Sequence, residues 1–169
     1  MARKKSNNDI EINKIIEQFL KDVAEDFAEF SDIHEVKTPI IYGFNVRLDP
    51  SNSNKELIIN SFGNIKKDEN SGIILTEERE PLVDIIEKEN EVVIIAEIPG
   101  VSKENIKIEI NQKRLHIDAK DHNRNYSKDI KLNTLIDTTP TSIQFKNGVL
   151  EIIFSKSKKE YPPRTITIE

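Results

Sequence analysis

The sequence contains no cysteine and no tryptophan, and it has only five glycines and one methionine. Without cysteine, the chain has no disulfide framework, no thiolate metal site and no cysteine nucleophile. The five glycines lie too far apart to build a phosphate-binding loop, so neither a Walker motif nor a dinucleotide fingerprint is present. We therefore expect a protein that holds no nucleotide or other cofactor and is not an enzyme.

Long apolar runs and an excess of basic residues are missing as well. No run approaches the roughly 20 apolar residues that a membrane span requires, and the first residues lead into polar sequence instead of a signal-type apolar stretch. The net charge of −5 argues against a nucleic-acid-binding protein, which normally has a basic face. We expect a soluble, cytoplasmic protein with no nucleic-acid partner.

The polar side chains do not form an evident catalytic or metal site. The three histidines are His34, His116 and His122, and no pair has metal-ligand spacing with a third ligand nearby. His116 occupies an outward position on a predicted strand, and most carboxylates also fall on outward faces. We interpret these groups as surface residues and expect no metal.

The first 36 residues predict an amphipathic helical arm. Its apolar residues recur at helical spacing and fall within an arc of roughly 140°. They are Ile12, Ile15, Ile16, Phe19, Leu20, Val23, Phe27 and Phe30. Three interpretations remain open: the helix packs on its own domain, it contacts another subunit or a partly unfolded client, or it lies on a membrane surface. The mainly acidic polar face disfavours the last of these.

Residues 37–80 predict a β-hairpin followed by a linker. A strand-like segment from Ile40 to Leu48 and a return strand from Glu56 to Phe62 flank the turn-forming cluster 49–54. The sequence from about Lys66 to Glu80 is polar, and we interpret it as a linker.

Residues 81–157 carry short strands at close spacing, which is typical of an all-β, immunoglobulin-like antiparallel sandwich. The segment 92–98 is almost continuously apolar, which indicates burial on both faces. Ile106, Ile108 and Ile110 alternate with charged residues, as a half-buried strand does. They are either core residues alone or core residues that also line a docking groove. Asn147-Gly148 predicts a two-residue hairpin turn, because both residues accept a positive φ.

The last segment, 158–169, predicts an extended tail. The charged sequence 156–160 is typical of a solvated hinge, and Pro162-Pro163 stiffens the chain. Ile166 and Ile168 then place two apolar side chains on one face of an extended strand. Such a pair arises by chance in an Ile-rich chain, but a docking strand is the better interpretation, since mobile apolar side chains are costly to leave in water.

In this order and at this spacing, these motifs resemble the small heat-shock protein family, whose central unit is the α-crystallin domain. The resemblance rests on Pro81-Leu82-Val83-Asp84-Ile85, on the turn around Pro99-Gly100, on Asn147-Gly148-Val149-Leu150, and on the Ile-x-Ile tail. Tyr42-Gly43-Phe44 and Ser61-Phe62-Gly63-Asn64 also look like the upstream region of an archaeal subgroup. The resemblance covers about half of the chain strongly and most of it loosely.

The resemblance implies an ATP-independent holdase chaperone that binds partly unfolded proteins and assembles into dimers and larger homo-oligomers. It also implies that Ile166 and Ile168, presented after Pro163, dock in a neighbouring subunit's groove formed partly by Ile106, Ile108 and Ile110. Many members of the family carry a long loop whose extra strand swaps into the partner. Here only the connection 120–127 is present, which is too short for such an arm.

A second function remains open from the sequence. The same sandwich serves as an interaction or adaptor module in related co-chaperones, where it docks one defined partner. The Phe-containing helix and the Ile-x-Ile tail favour the holdase, because an adaptor needs neither.

Overall fold

The computed structural model describes residues 7–30, 39–48, 57–68, 72–122, 124–159 and 163–168. It contains one helix, α1 (Asn7–Phe30), and a single 3₁₀ turn at Lys103–Asn105. The strands are β1 (Tyr42–Leu48), β2 (Leu57–Asp68), β3 (Gly72–Glu80), β4 (Leu82–Glu87), β5 (Glu91–Glu97), β6 (Ile106–Asn111), β7 (Arg114–Asp121), β8 (Arg124–Lys131), β9 (Ser142–Lys146), β10 (Val149–Ser155) and β11 (Arg164–Thr167).

Among the described residues, the strands form two sheets that enclose one apolar core. The larger sheet has the order β1-β2-β3-β8-β7-β6-β11 and the smaller one the order β4-β5-β10-β9. The core consists mainly of aliphatic side chains from both sheets, with Tyr126 and Phe154, and Phe154 is its largest fully buried residue. The predicted β-sandwich with an N-terminal helix and an extended tail is confirmed.

The smaller sheet explains the continuous apolar run 92–98. Val92 and Ile94 point into the core, while Val93 and Ile95 occupy the opposite face of β5. Val93 is nevertheless 95% shielded from solvent, since its relative exposure is 5%. It lies between Ile86 and Ile153 in the strand register. Burial on both faces of β5 was therefore predicted correctly for Val93.

The expected linker from Lys66 to Glu80 is wrong. β2 continues to Asp68, and residues 72–80 form β3, which pairs antiparallel with β2 and bridges in parallel to β8 at Arg79 and Tyr126. The polar sequence did not indicate a strand, because its charged side chains pair with lysines of the sheet that are distant in the sequence. Glu80 pairs with Lys128, and Lys120 lies 3.2 Å from Glu78.

The connection 120–127 is also shorter than predicted. β7 ends at Asp121 and β8 begins at Arg124, so most of this segment is strand. The strand begins early because Tyr126 turns inward opposite Ala119 and its hydroxyl donates to the Pro99 carbonyl at 3.1 Å. The expectation that no swapped arm fits here agrees with this tight hairpin.

The β1–β2 hairpin, whose predicted turn 49–54 lies outside the described residues, is fastened to the smaller sheet. The Arg47 guanidinium donates to the Ile85 carbonyl at 2.6 Å, and the Asn60 amide donates to the Val83 carbonyl at 3.4 Å. Both carbonyls belong to β4, the edge strand of that sheet. Side chains of the hairpin therefore satisfy backbone groups that an edge strand otherwise leaves unpaired.

Asp121 fixes the entry to β6. Its carboxylate accepts hydrogen bonds from the Ser102 backbone N–H and the Asn105 amide, both at 3.1 Å, and from His122. The hydrogen bond of the His122 side chain contributes most, and together these bonds hold the pKa of Asp121 well below its usual value. The 3₁₀ turn is thereby tied to the β7–β8 hairpin, and β6 starts at a fixed position.

The Asn147-Gly148 turn joins β9 to β10 and is confirmed as a positive-φ turn, with φ values of 53° and 79°. A Cβ at Gly148 would lie 2.8 Å from the Pro99 Cα. The Gly148 carbonyl accepts a hydrogen bond from Ile98 N–H at 2.8 Å. The turn thus packs closely on the Pro99-Gly100 turn, and Val149 and Leu150 follow as the first residues of β10.

We expect Gly148→Ala to lower the free energy of unfolding by about 1–3 kcal/mol, because it combines a positive φ with a backbone clash. Chemical denaturation measures the change. Asn147→Gly is the matched control and should change stability by less than about 0.5 kcal/mol. Equal stability of the Gly148→Ala and Asn147→Gly proteins would contradict the close packing.

We also expect Asp121→Ala to destabilise the protein at pH 7, and this loss should shrink as the pH falls below about 4. The pKa of Asp121 is lower in the folded state than in the unfolded chain. Its stabilisation is therefore present above the unfolded pKa and is lost toward the folded pKa. Denaturation at pH 7 and pH 3 tests this against Glu89→Ala, which removes an exposed carboxylate. A loss that is independent of pH argues against the charge effect.

Candidate functional site: a sheet edge covered by the tail

The C-terminal tail lies along the edge of the larger sheet. β11 pairs antiparallel with β6, with Ile166 opposite Ile108 and Arg164 opposite Ile110. This is the strand that the sequence analysis assigned to the groove. The structure contains one chain, and the tail lies on that chain's own β6. Docking on a neighbouring subunit stays a prediction.

The three groove isoleucines belong to the hydrophobic core. Ile106, Ile108 and Ile110 are each no more than 1% exposed, whereas Lys107 and Glu109 between them are exposed. Ile168 is 7% exposed and joins the same core cluster. Four half-buried side chains also pack against this cluster, and they are Ile85, Ile143, Phe145 and Ile166. The tail therefore completes the core along the β6 edge.

The outward face of this edge is polar. Lys107 Nζ lies 2.7 Å from Glu109 Oε1. The hydrogen bond between them raises the pKa of Lys107 and lowers the pKa of Glu109, so both stay charged near neutral pH. In the register, Thr165 lies opposite Glu109 and Thr167 opposite Lys107. The edge thus presents an apolar inner side and a charged outer side, and the tail alternates in the same way.

An open cavity of about 260 Å³ lies beside the tail on the outward face. Pro163 and Thr165 form one side of it, and Glu109, Arg114, His116 and Asp129 lie on the sheet. His116 Nδ1 is 3.1 Å from Asp129 Oδ1, which agrees with its interpretation as a surface residue. Pro163 is exposed, and Pro162 lies outside the described residues.

The segment 156–160 was expected to be a solvated hinge; in its described part Lys158 and Lys159 are exposed, but the backbone is bonded to the domain, so the hinge is wrong. The Lys156 N–H donates to the Asn90 carbonyl at 2.9 Å, and the Ser157 N–H donates to the Leu135 carbonyl at 2.8 Å. The Gln112 side chain donates to the Lys159 carbonyl. Two backbone carbonyls and one side-chain amide of the domain therefore hold this segment. The charged residues of the sequence did not indicate these bonds. Glu160 lies outside the described residues.

The helix contacts β1 through an aromatic pair and also lies against β3. The rings of Phe19 and Phe44 meet edge to face with centroids 4.7 Å apart. Ile16 and Val23 are half-buried, but Ile15 and Leu20 remain 46% and 48% exposed. The side chains of Ile12, Phe27 and Phe30 lie outside the described part of the chain. The predicted helix is confirmed, and its apolar face is only partly covered by the hairpin.

The sequence did not predict the structural role of two buried polar residues, Asn64 and Gln112. Asn64 is buried and its side chain bonds to the backbone of Ile41 and Pro39 at 2.7 and 3.0 Å. Gln112 is buried in the turn between β6 and β7. Asn64 belongs to the segment Ser61-Phe62-Gly63-Asn64 that carried part of the resemblance, but the sequence did not indicate its hydrogen bonds; the preceding Gly63 has a φ of 122°, which other residue types rarely adopt. No sequence signal marked Gln112.

In the described residues, no group of three or more His, Asp or Glu side chains is placed to hold a metal ion. No described helix has the length and hydrophobicity needed to cross a membrane.

Comparison with known proteins identifies relatives over most of the chain. Residues 84–169 match the family described as the Hsp20/alpha crystallin family. Small heat shock protein C1 of Rickettsia felis is 32% identical over 126 residues, which cover 67% of this chain and 75% of that protein. Small heat shock protein C1 of Rickettsia typhi is 35% identical over 96 residues, which cover 49% of this chain and 59% of that protein.

Among solved structures, heat shock protein 16.0 from Schizosaccharomyces pombe matches 54% of this chain and 77% of its own chain. The sequence identity is 23% and the TM-score is 0.43, so the family assignment rests on the sequence matches. The expected likeness to an archaeal subgroup is not supported, because the curated relatives are bacterial. With a β-sandwich, an Ile-x-Ile tail and a family match over half of its length, this chain belongs to the Hsp20/alpha crystallin family of small heat-shock proteins, a family of chaperones.

Proposed function

We propose that this chain is an ATP-independent holdase that binds partly unfolded proteins and prevents their aggregation. In this proposal it works as a dynamic homo-oligomer whose subunits are joined by docking of the Ile-x-Ile tail. The observation that carries the proposal is the antiparallel pairing of β11 with the edge strand β6, together with the burial of Ile168 in the core.

The chemistry of the edge supports exchange of its occupant. An edge strand offers unpaired backbone N–H and C=O groups, and any extended segment with alternating apolar side chains satisfies them. The tail of a second copy has the same sequence, so it makes the same contacts as the chain's own tail. Since one tail reaches one edge, docking between chains is heterologous and joins many copies.

The strength of one tail contact suits reversible assembly. Each fully buried Ile contributes about 1.5–3 kcal/mol relative to its exposed state. Part of this gain is offset by ordering the tail. A single tail therefore exchanges, while several tails acting together hold an assembly through their combined contacts.

The exposed apolar side chains of α1 support a role in client binding. Ile15 and Leu20 lie on the same helix as Phe19 but remain accessible beside it. Partly unfolded proteins expose apolar side chains, and contact with such residues removes both surfaces from water. The mixed charges of the remaining helix surface keep the arm hydrated, as in the pair Lys21–Glu25.

We expect the purified protein to suppress the heat-induced turbidity of an unrelated enzyme at an equal subunit ratio without added nucleotide. Binding of clients by an apolar surface requires no nucleotide hydrolysis, so addition of ATP should leave the suppression of turbidity unchanged. Light scattering measures the turbidity of the heated enzyme. Unchanged turbidity, combined with a monomeric particle, would reject the holdase and favour the adaptor function.

We expect the double substitution Ile166→Ser with Ile168→Ser to shift the assembly to dimers or smaller species, because it removes both apolar anchors of β11. Size-exclusion chromatography with light scattering measures the shift. Thr165→Ser with Thr167→Ser is the matched control in the same tail and should keep the wild-type size. If the Ile double variant elutes like the control, tail docking does not hold the subunits together.

A further inference from the structure

The stem of the tail, residues 156–159, is fixed to the turn between β6 and β7. Gln112 lies in that turn and is 7% exposed, and its side-chain amide donates to the Lys159 carbonyl. The same carbonyl accepts from the Ser157 hydroxyl at 3.1 Å, and the Lys159 N–H donates back to that hydroxyl at 3.1 Å. The stem therefore ends in a closed turn held by one buried amide.

The turn that carries Gln112 is itself bonded to the domain. The Ile136 N–H donates to the Gln112 carbonyl at 3.1 Å, and Ile136 is fully buried. Ile136 also forms an antiparallel bridge with Lys156, at the start of the stem. Gln112, Ile136 and the stem thus form one connected unit, so the position of Lys159 relative to β6 is set by the domain.

This anchor limits how far the tail reaches. Lys159 and Pro163 are separated by four Cα–Cα steps, which span at most about 15 Å. If Lys159 were released, the nearest backbone anchor would be Ser157, and the free segment would span at most about 23 Å. The β6 end that receives Arg164 is Ile110, only two residues from Gln112 in the sequence.

A short tether next to its own target raises the effective concentration of that target for the tail. We propose that Gln112 is a positioning residue that directs the tail to the β6 edge of its own chain. When its bond to Lys159 breaks, the longer tether allows the same tail to dock on another copy. This inference rests on the proposed docking of the tail, and it assigns the choice between the chain's own edge and a neighbour's edge to one hydrogen bond.

Engineered cysteines test this choice directly, since the natural chain contains none. Glu109 and Thr165 are opposed in the β6–β11 register and both are exposed. Opposed residues of an antiparallel pair have Cα separations that suit a disulfide. For a chain with both Glu109→Cys and Thr165→Cys, the disulfide-closed monomer on a non-reducing gel reports docking on the chain's own edge, since disulfide-joined chains migrate separately. An equal mixture of the two single-cysteine chains reports docking between chains, through the 109–165 peptide pair identified by mass.

Each arm is run with Gln112, with Gln112→Met and with Gln112→Asn. Gln112→Met keeps the length and removes the donor, and Gln112→Asn keeps a polar amide that is too short to reach Lys159. Gln144→Met, at an exposed position of β9, is the matched control. We expect both Gln112 variants to lower the ratio of intrachain to interchain disulfide by about 2-fold to 10-fold, as expected for the loss of one hydrogen bond, and the control to leave it unchanged.

Three other outcomes overturn the inference, and they separate it from the proposed function. If the ratio is unchanged in both Gln112 variants while both disulfides form, the tail docks but Gln112 does not direct it. If both disulfides decline equally, Gln112 supports docking in general and not the choice of chain. If neither disulfide forms when Gln112 is present, tail docking itself fails, and the proposed assembly fails with it.

Discussion

An edge strand of a β-sheet must have its backbone groups covered, and this constraint shapes the whole molecule. β6 contributes Ile106, Ile108 and Ile110 to the core, yet its outer side has no partner within the compact sandwich 81–157. β11 supplies that partner. Ile168 packs in the same core, so docking of the tail both pairs the backbone of β6 and completes the core. Loss of the tail would expose the β6 backbone and this part of the core together.

On the opposite side of the sandwich, other segments of the chain cover the edge strands. β3 bridges to β8, and Arg47 and Asn60 bind carbonyls of β4. These contacts are made by segments that precede the sandwich in the sequence. The two sides therefore differ in how their cover is attached. β3 connects to β4 through Pro81 alone, whereas the tail follows the stem 156–159, whose last described bond to the domain is that of the Gln112 amide to the Lys159 carbonyl. In the proposed function, the side that carries the tail is the one whose cover exchanges between copies.

The sequence predicted the parts of this fold that depend on local periodicity. The alternation of Ile106, Ile108 and Ile110 and the turn at Asn147-Gly148 both follow from rules that act over a few residues. β3 was missed because Glu77 to Glu80 look like linker sequence until Lys120 and Lys128 are brought beside them. The stem was missed for the same reason, since the bond between Gln112 and Lys159 joins residues 47 positions apart. Long-range polar contacts leave no periodic trace in a sequence.

The central claim is that Ile166 of the tail covers the β6 edge at Ile108. The most direct measurement is a methyl–methyl nuclear Overhauser effect between these two isoleucines, with isotope-edited mixtures of labelled and unlabelled chains to separate contacts within a chain from contacts between chains. We expect a cross-peak between Ile166 and Ile108 in the assembled protein. If the cross-peak is absent in every labelling scheme while β6 is otherwise folded, the tail does not cover this edge.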